Sequence, residues 1–193
     1  LYAVSVFYKT FKNPISLQYL NSSNPEFQYA NVDQGTIGGI ELELRKTLGF
    51  IAPAFDKFKI STNLTFITST MDVIEQSGLE PESRPFEGQS PLLANLSLGY
   101  LNPDSKWDIQ VSYNYTGERL AVVGLNSPDI YERGLSTLDA VISKKLGNVS
   151  LKFAANNLLN PNYTTSSEYL GQEYLTRQYK KGTSFVLSVA YEL

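Results

Sequence analysis

The chain has 193 residues, of which 42% are apolar and only 18% charged, with a net charge of −3. It contains neither Cys nor His, which excludes disulfides, thiolate metal sites, Ser-His-Asp and Cys-His catalysis and most zinc chemistry. No cluster of Lys and Arg is dense enough for a nucleic-acid footprint, no cofactor is implied, and no residue set points to an enzyme.

The chain starts at Leu1, without Met or a signal peptide, and enters strand-like sequence at once. An N-terminal part is therefore expected to have been removed or to lie outside it. Helical periodicity is scarce, and no run of 18 apolar residues is available for a membrane helix. Period-2 alternation recurs instead, which puts successive side chains on opposite faces of a strand. Segment 2–9 sets Tyr2, Val4, Val6 and Tyr8 against Ala3, Ser5, Phe7 and Lys9. Segment 40–45 sets Ile40, Leu42 and Leu44 against Glu41, Glu43 and Arg45. Segment 58–66 sets Phe58, Ile60, Thr62, Leu64 and Phe66 against Lys59, Ser61, Asn63 and Thr65. Segment 94–100 places Leu96, Leu98 and Tyr100 opposite Asn95, Ser97 and Gly99. Segment 107–116 is the longest: Trp107, Ile109, Val111, Tyr113 and Tyr115 against Asp108, Gln110, Ser112, Asn114 and Thr116. Segment 138–146 is less clean, because Lys144 stands among Leu138, Ala140, Ile142 and Leu146 as the one charge on an apolar face. Segments 149–156 and 185–193 complete a set of about eight strands, antiparallel by hairpin logic and forming one domain, 1–193.

The connections alternate in length. Those around 49–57, 101–105 and Gly147-Asn148 are shorter, the last a two-residue hairpin turn. Those at 16–26, 72–88, 118–133 and 160–181 are longer, the first two of them polar, and read as loops. Short turns on one rim and long loops on the other are the mark of an outer-membrane barrel, with the last strand running toward the periplasm. Phe58, Tyr100, Trp107 and Tyr191 then fall near the periplasmic rim, where a girdle of amphipathic rings is expected, and Tyr113 and Tyr115 lie toward the outer rim. Lys144 is tolerable there, since a charge near the interface costs about 0–1 kcal/mol against roughly 2–4 at midplane. A soluble ligand-binding barrel with its apolar face inward shares the alternation. However, the polar face is rich in Ser, Thr, Asn, Gly and Ala rather than Lys and Glu, which favours the membrane. A self-contained eight-stranded barrel, acting as an anchor or adhesion module, is the other alternative.

Several features have bland readings. Glu41, Glu43 and Arg45 are read as lumen-facing charges in a salt-bridge ladder with neighbouring strands. Asp72, Glu75, Glu80, Glu82 and Glu87 read as a solvated acidic loop. Gly35, Gly38 and Gly39 read as a bulge or bend. Asn-X-Ser/Thr triplets at Asn21, Asn63, Asn95, Asn114, Asn148 and Asn162 read as a by-product of alternating Asn and Ser/Thr, not as glycosylation sites. Tyr163, Tyr169, Tyr174, Arg177 and Tyr179 crowd the longest loop and combine flat apolar area with hydrogen-bond donors, which suits ligand contact.

The ordered series NVDQGTIGGIELELRKTL (31–48), RPFEGQSP (84–91) with LLANLSLGY, VSYNYTGERL (111–120), LSTLDAVISKKLG (135–147) and FAANNLLNPNYT (153–164) resembles the late strands of TonB-dependent outer-membrane receptors. The Asn157-Leu158-Leu159-Asn160 step followed by Tyr163 resembles the family's penultimate strand. The resemblance covers nearly the whole chain. It implies an all-β fold, with these strands supplying the C-terminal part of a 22-stranded transmembrane barrel. It also implies a plug domain, matched by nothing in this sequence, through which the TonB complex acts. The implied partners are the lipid bilayer, a nutrient ligand bound by external loops and, in some members, a surface lipoprotein. The family usually ends in an aromatic residue, where this chain has Tyr191-Glu192-Leu193.

Overall fold

The computed structural model describes residues 1–20, 24, 26–73, 82–125 and 127–192. Asn21, Glu75, Glu80 and Leu193 lie outside the described residues.

Fifteen strands are described in chain order: β1 (Tyr2–Lys12), β2 (Ile15–Leu20), β3 (Glu26–Asn31), β4 (Gln34–Thr47), β5 (Phe58–Val73), β6 (Glu82–Arg84), β7 (Leu92–Asn102), β8 (Trp107–Thr116), β9 (Arg119–Leu125), β10 (Ile130–Glu132), β11 (Leu135–Leu146), β12 (Val149–Asn156), β13 (Tyr163–Tyr169), β14 (Gln172–Tyr179) and β15 (Ser184–Tyr191). Eight of them form an antiparallel meander in the order β1-β4-β5-β7-β8-β11-β12-β15, with β6 added beside β5. These eight are the strands expected from alternation. The sheet is open: β1 pairs with β4 and β15 with β12, and the two end strands are not paired with each other.

The register explains why alternation was so readable. Tyr2 lies opposite Leu44, Leu44 opposite Thr62, Thr62 opposite Leu96, Leu96 opposite Tyr113, and Tyr113 opposite Leu138. Farther along, Ile142 faces Phe153 and Phe153 faces Leu187. One parity therefore stays apolar across all seven ladders. The other carries a polar row, Glu43-Asn63-Asn95-Asn114-Thr137. The apolar face is uncovered, with Val6 73% and Leu187 72% exposed. Side chains on a pleated sheet interact with their cross-strand neighbours, so each row is a continuous stripe of one chemistry.

The short connections gather at one end. Between β4 and β5 the chain makes two single-turn 3₁₀ helices, Leu48–Phe50 and Pro53–Phe55. Residues 103–106 join β7 to β8, and Gly147-Asn148 joins β11 to β12. Gly147 has φ +60° while Asn148 does not have positive φ, the pattern of a type II′ hairpin turn.

Three expectations change. The β4 glycines make no bulge, because β4 keeps an unbroken register with both β1 and β5. Gly35 and Gly39 are instead where rings come close to the strand: a Cβ at Gly35 would meet Phe86, and one at Gly39 would meet Phe7 and the Phe66 carbonyl. Lys144 is not the one charge on the apolar face. Strand β4 runs on to Thr47, so Lys46 shares the parity of Leu44 and lies opposite Ile60. The regions 118–133 and 160–181 are largely strand: β9 and β10 occupy the first, β13 and β14 the second.

Candidate functional site: a loop sheet folded over the polar face

At the long-loop end the connections pair with one another. They form a six-stranded sheet in the order β14-β13-β10-β9-β2-β3, with β2 and β9 parallel and the rest antiparallel. Its buried core is Val32, Met71, Val73, Leu120, Val123 and Leu125, with Leu20, Phe86 and Tyr131 packed against it. Met71 and Val73 share the parity of Asn63 and Thr65 on β5. The loop core therefore lies on the polar-face side of the barrel sheet, and the loops fold inward over it.

Polar ties hold the loops together. The buried Ser16 hydroxyl donates to Glu87 Oε1 at 2.5 Å. Arg84 Nε donates to Asp129 Oδ2 at 2.7 Å, and Asp129 Oδ1 accepts the Gly124 amide at 2.9 Å. Burial lowers the Arg84 pKa, but the bonds and charges of Glu82 and Asp129 outweigh it and raise the pKa overall. The Tyr131 phenol is pushed up by burial and then by the Asp129 charge. Arg119 donates from Nε and Nη2 to Glu132 Oε2 at 3.1 and 2.8 Å, and from Nη1 to the Gly88 carbonyl at 3.2 Å. Ser90 Oγ bridges the Leu92 and Gly117 carbonyls. Arg133 and Glu173 form an ion pair that ties the β13–β14 hairpin to the end of β10. Arg133, followed by a hydrogen bond from Ser166, pulls the Glu173 carboxyl down to about 2. This sheet was missed from the sequence. The apolar run RLAVVGL at 119–125, inside a stretch read as a long loop, is the signal that could have found it.

The five loop residues singled out earlier come together on one strand pair. In the β13–β14 ladder Tyr163 faces Tyr179, Thr165 faces Arg177, Ser167 faces Tyr174 and Tyr169 faces Gln172, all on one face. The Tyr163 and Tyr179 rings stack at 5.2 Å, and the Arg177 guanidinium lies 4.8 Å from the Tyr179 ring centroid. Tyr169 and Tyr174 are nearer the tip, where Leu170 and Gly171 make the turn.

The charges Glu41, Glu43 and Arg45 share the polar face, opposite Ile40, Leu42 and Leu44. Arg45 Nε pairs with Glu43 Oε1 at 2.5 Å on its own strand, not across to a neighbour as expected. The two line a recess of about 220 Å³ with Asn63, Asn95 and Asn114. Three of the Asn-X-Ser/Thr triplets thus form one cross-strand row. The rings Phe58, Tyr100, Trp107 and Tyr191 lie at the short-turn ends of their strands. Phe58 packs on Tyr100 at 4.9 Å and on Phe55 at 5.9 Å. Two lysines at the short-turn end of the apolar face sit over rings: Lys144 Nζ is 4.4 Å from the Trp107 centroid, and Lys46 Nζ is 4.1 Å from that of Phe50. Cation–π attraction with the aliphatic stems on apolar surface makes both positions tolerable.

The family described as TonB dependent receptor-like, beta-barrel matches residues 1–158. The chain belongs to this family. A probable hemoglobin and hemoglobin-haptoglobin-binding protein of Haemophilus influenzae is 24% identical over 85% of this chain and 18% of its own length. Among solved structures, the copper transporter OprC and the unliganded ferric citrate transporter FecA each superpose with a TM-score of 0.67 over 98% of this chain, at 17% and 14% identity. The FrpB iron transporter of Neisseria meningitidis gives 0.65 at 18% identity. This chain covers 27–28% of those structures.

As a TonB-dependent receptor barrel, the protein is a component of the Gram-negative outer membrane. Its apolar face is the lipid-facing side of an antiparallel transmembrane sheet. That accounts for large apolar side chains left uncovered on eight strands, which in water would mark an interface or an aggregation site.

Proposed function

We propose that this chain is the C-terminal portion of the barrel of a nutrient receptor that captures its ligand at the loop sheet and imports it through the barrel, driven by the TonB complex acting on a plug domain. In this reading Glu41, Glu43 and Arg45 face the lumen, and Phe58, Tyr100, Trp107 and Tyr191 form the periplasmic girdle. The long loops then face outside. The observation that carries the reading is the inward-folded loop sheet: a surface tied by five sets of polar bonds and a buried core is preorganised, which lowers the entropy cost of binding. Tyr169 and Tyr174 share the outer face of the β13–β14 hairpin but stand at its tip, above the barrel wall in this reading, and are the candidates for ligand contact within this chain.

The relatives' names point to a metal-bearing ligand. Without His or Cys, this portion suits recognition of an intact chelate or metalloprotein better than direct coordination of a bare ion. The test is uptake of radiolabelled iron chelates and growth on single iron sources by cells producing the protein. Uptake should vanish when TonB is deleted and fall several-fold when Tyr169 and Tyr174 are both changed to Ser. Uptake indifferent to TonB would remove the reading.

A further inference from the structure

The two faces of the β13–β14 hairpin differ in charge. One holds Glu168 opposite Glu173, with Ser166 opposite Leu175. The other holds Tyr163, Thr165, Ser167 and Tyr169 on β13 and Gln172, Tyr174, Arg177 and Tyr179 on β14, and has no carboxylate from the hairpin. The Tyr163–Tyr179 stack at its base is flanked by two cations, Arg177 at 4.8 Å from Tyr179 and the Lys181 ammonium at 4.0 Å from the Tyr163 centroid. Neither cation forms an ion pair with a carboxylate among the described residues.

Register tells which way this face looks. Leu120, Tyr131 and Ser166 form one cross-strand row, and Leu120 and Tyr131 close over Met71 and Val73 on the polar-face side. Arg119, Glu132, Thr165 and Arg177 form the alternate row, so they look the opposite way, toward the lipid side. The barrel hairpin agrees: Thr116 opposite Leu135 and Arg119 opposite Glu132 keep one register across the break between them, which gives Arg119 the parity of Tyr113 and Tyr115.

Height is set by the last strand. Phe185 is the first ring of its apolar face and stacks on Phe153 at 6.0 Å. Lys181 precedes it by four residues, at most roughly 13 Å of extended chain. The cations and phenols thus stand immediately beyond the hydrocarbon band, at the level of lipid headgroups, where amphipathic rings and basic side chains are favoured. Arg offers the forked donors that suit phosphate oxygens.

We propose that Tyr163, Arg177, Tyr179 and Lys181 form a site on the lipid side of the hairpin for a phosphorylated lipid headgroup of the outer leaflet. The proposal rests on the reading that the long loops face outside. The full-length protein would be placed in phosphatidylcholine nanodiscs with or without diphosphorylated lipid A, delipidated by detergent washing, and its retained lipid weighed by native mass spectrometry. Wild type should hold lipid A, and the double variant Arg177→Gln, Lys181→Gln should lose it by about tenfold. The conservative pair Arg177→Lys, Lys181→Arg should retain it. Equal retention by the Gln variant overturns the site, and so does complete displacement of lipid A by inorganic phosphate, which would mean an anion site without a lipid. Should the Gln variant fail the heat-modifiability test of folding, a photo-cross-linking residue at Thr165 in the otherwise native protein reads the same face in cells. Cross-links to lipid A are expected, and cross-links to protein alone overturn the site. Labelling of the Leu170-Gly171 turn from outside the cell separates the two readings. A labelled turn with no lipid A bound removes the site and leaves the orientation standing, whereas an unlabelled turn removes both.

Discussion

A Cβ on Gly39 would run into the Phe7 ring and the Phe66 carbonyl at once, and backbone cannot give way as a flexible side chain can. Gly39→Val is therefore expected to cost about 1–3 kcal/mol, read as a lower midpoint of thermal unfolding on heat-modifiability gels. Gly38, on the opposite face, meets its nearest neighbour, Tyr8, at ordinary contact distance, so Gly38→Ala should leave the midpoint nearly unchanged. Glu173 supports a prediction of a different kind. Its carboxyl drops from an ordinary 4.5 to about 2 in the folded protein, chiefly through Arg133. A depressed carboxylate contributes stability above its unfolded pKa and loses it as pH falls through the folded one. The tether of the hairpin should therefore be complete above pH 4.5 and be lost progressively toward pH 2. Limited proteolysis by an acid-stable protease across that window checks it: cleavage at the hairpin should rise as pH falls, and Glu173→Gln should remove the dependence.

The β13–β14 hairpin turns through Leu170 and Gly171, both at positive φ, +50° and +73°. That is the type I′ pattern, where Asn-Gly is favoured and a Leu is strained. Leu170→Asn should stabilise the hairpin, slowing its proteolysis without altering the barrel's thermal midpoint. This element also shows where sequence legibility ended. The eight barrel strands were readable because one face is covered by lipid and the other is polar, so every second residue reports its environment. The loop sheet has no such alternation: Thr164 and Ser166 are buried on β13, and Leu170 and Leu175 are exposed. Its strands are specified by pairing with one another and by ties such as Ser16–Glu87 and Arg84–Asp129, each of which joins residues more than forty positions apart. The candidate residues Tyr163, Arg177 and Tyr179 were visible as a cluster of types, but their common face depends on the register of the hairpin, shifted between Thr165 and Ser166. The glycines of β4 were misread for a related reason: a ring brought close to a strand and a bulge call for the same residue.

Across the whole sheet, charge on the apolar parity is confined to the strand ends: Lys46 and Lys144 rest on rings at the short-turn end, and Lys12 and Asp72 stand at the long-loop end. Leu96 lies near the middle of its strand on that face, between Thr62 and Tyr113. Leu96→Lys should cost about 2–4 kcal/mol, against about 0–1 for a lysine near the interface, measured by equilibrium unfolding in urea from liposomes. Lys144→Leu, by contrast, should be close to neutral on the same measurement. The unbroken parity of the seven ladders has one more consequence, for how such a chain can change length. A strand has a frame of two. Deleting one residue within β8 would turn Asp108, Gln110, Ser112 and Asn114 toward acyl chains on one side of the cut, or else force every ladder beyond it to slip by one. Deletion of two residues keeps the frame and shortens only the span. Single-residue insertions and deletions should accordingly be purged from the eight long strands and accumulate in the long connections, where no frame exists to be lost.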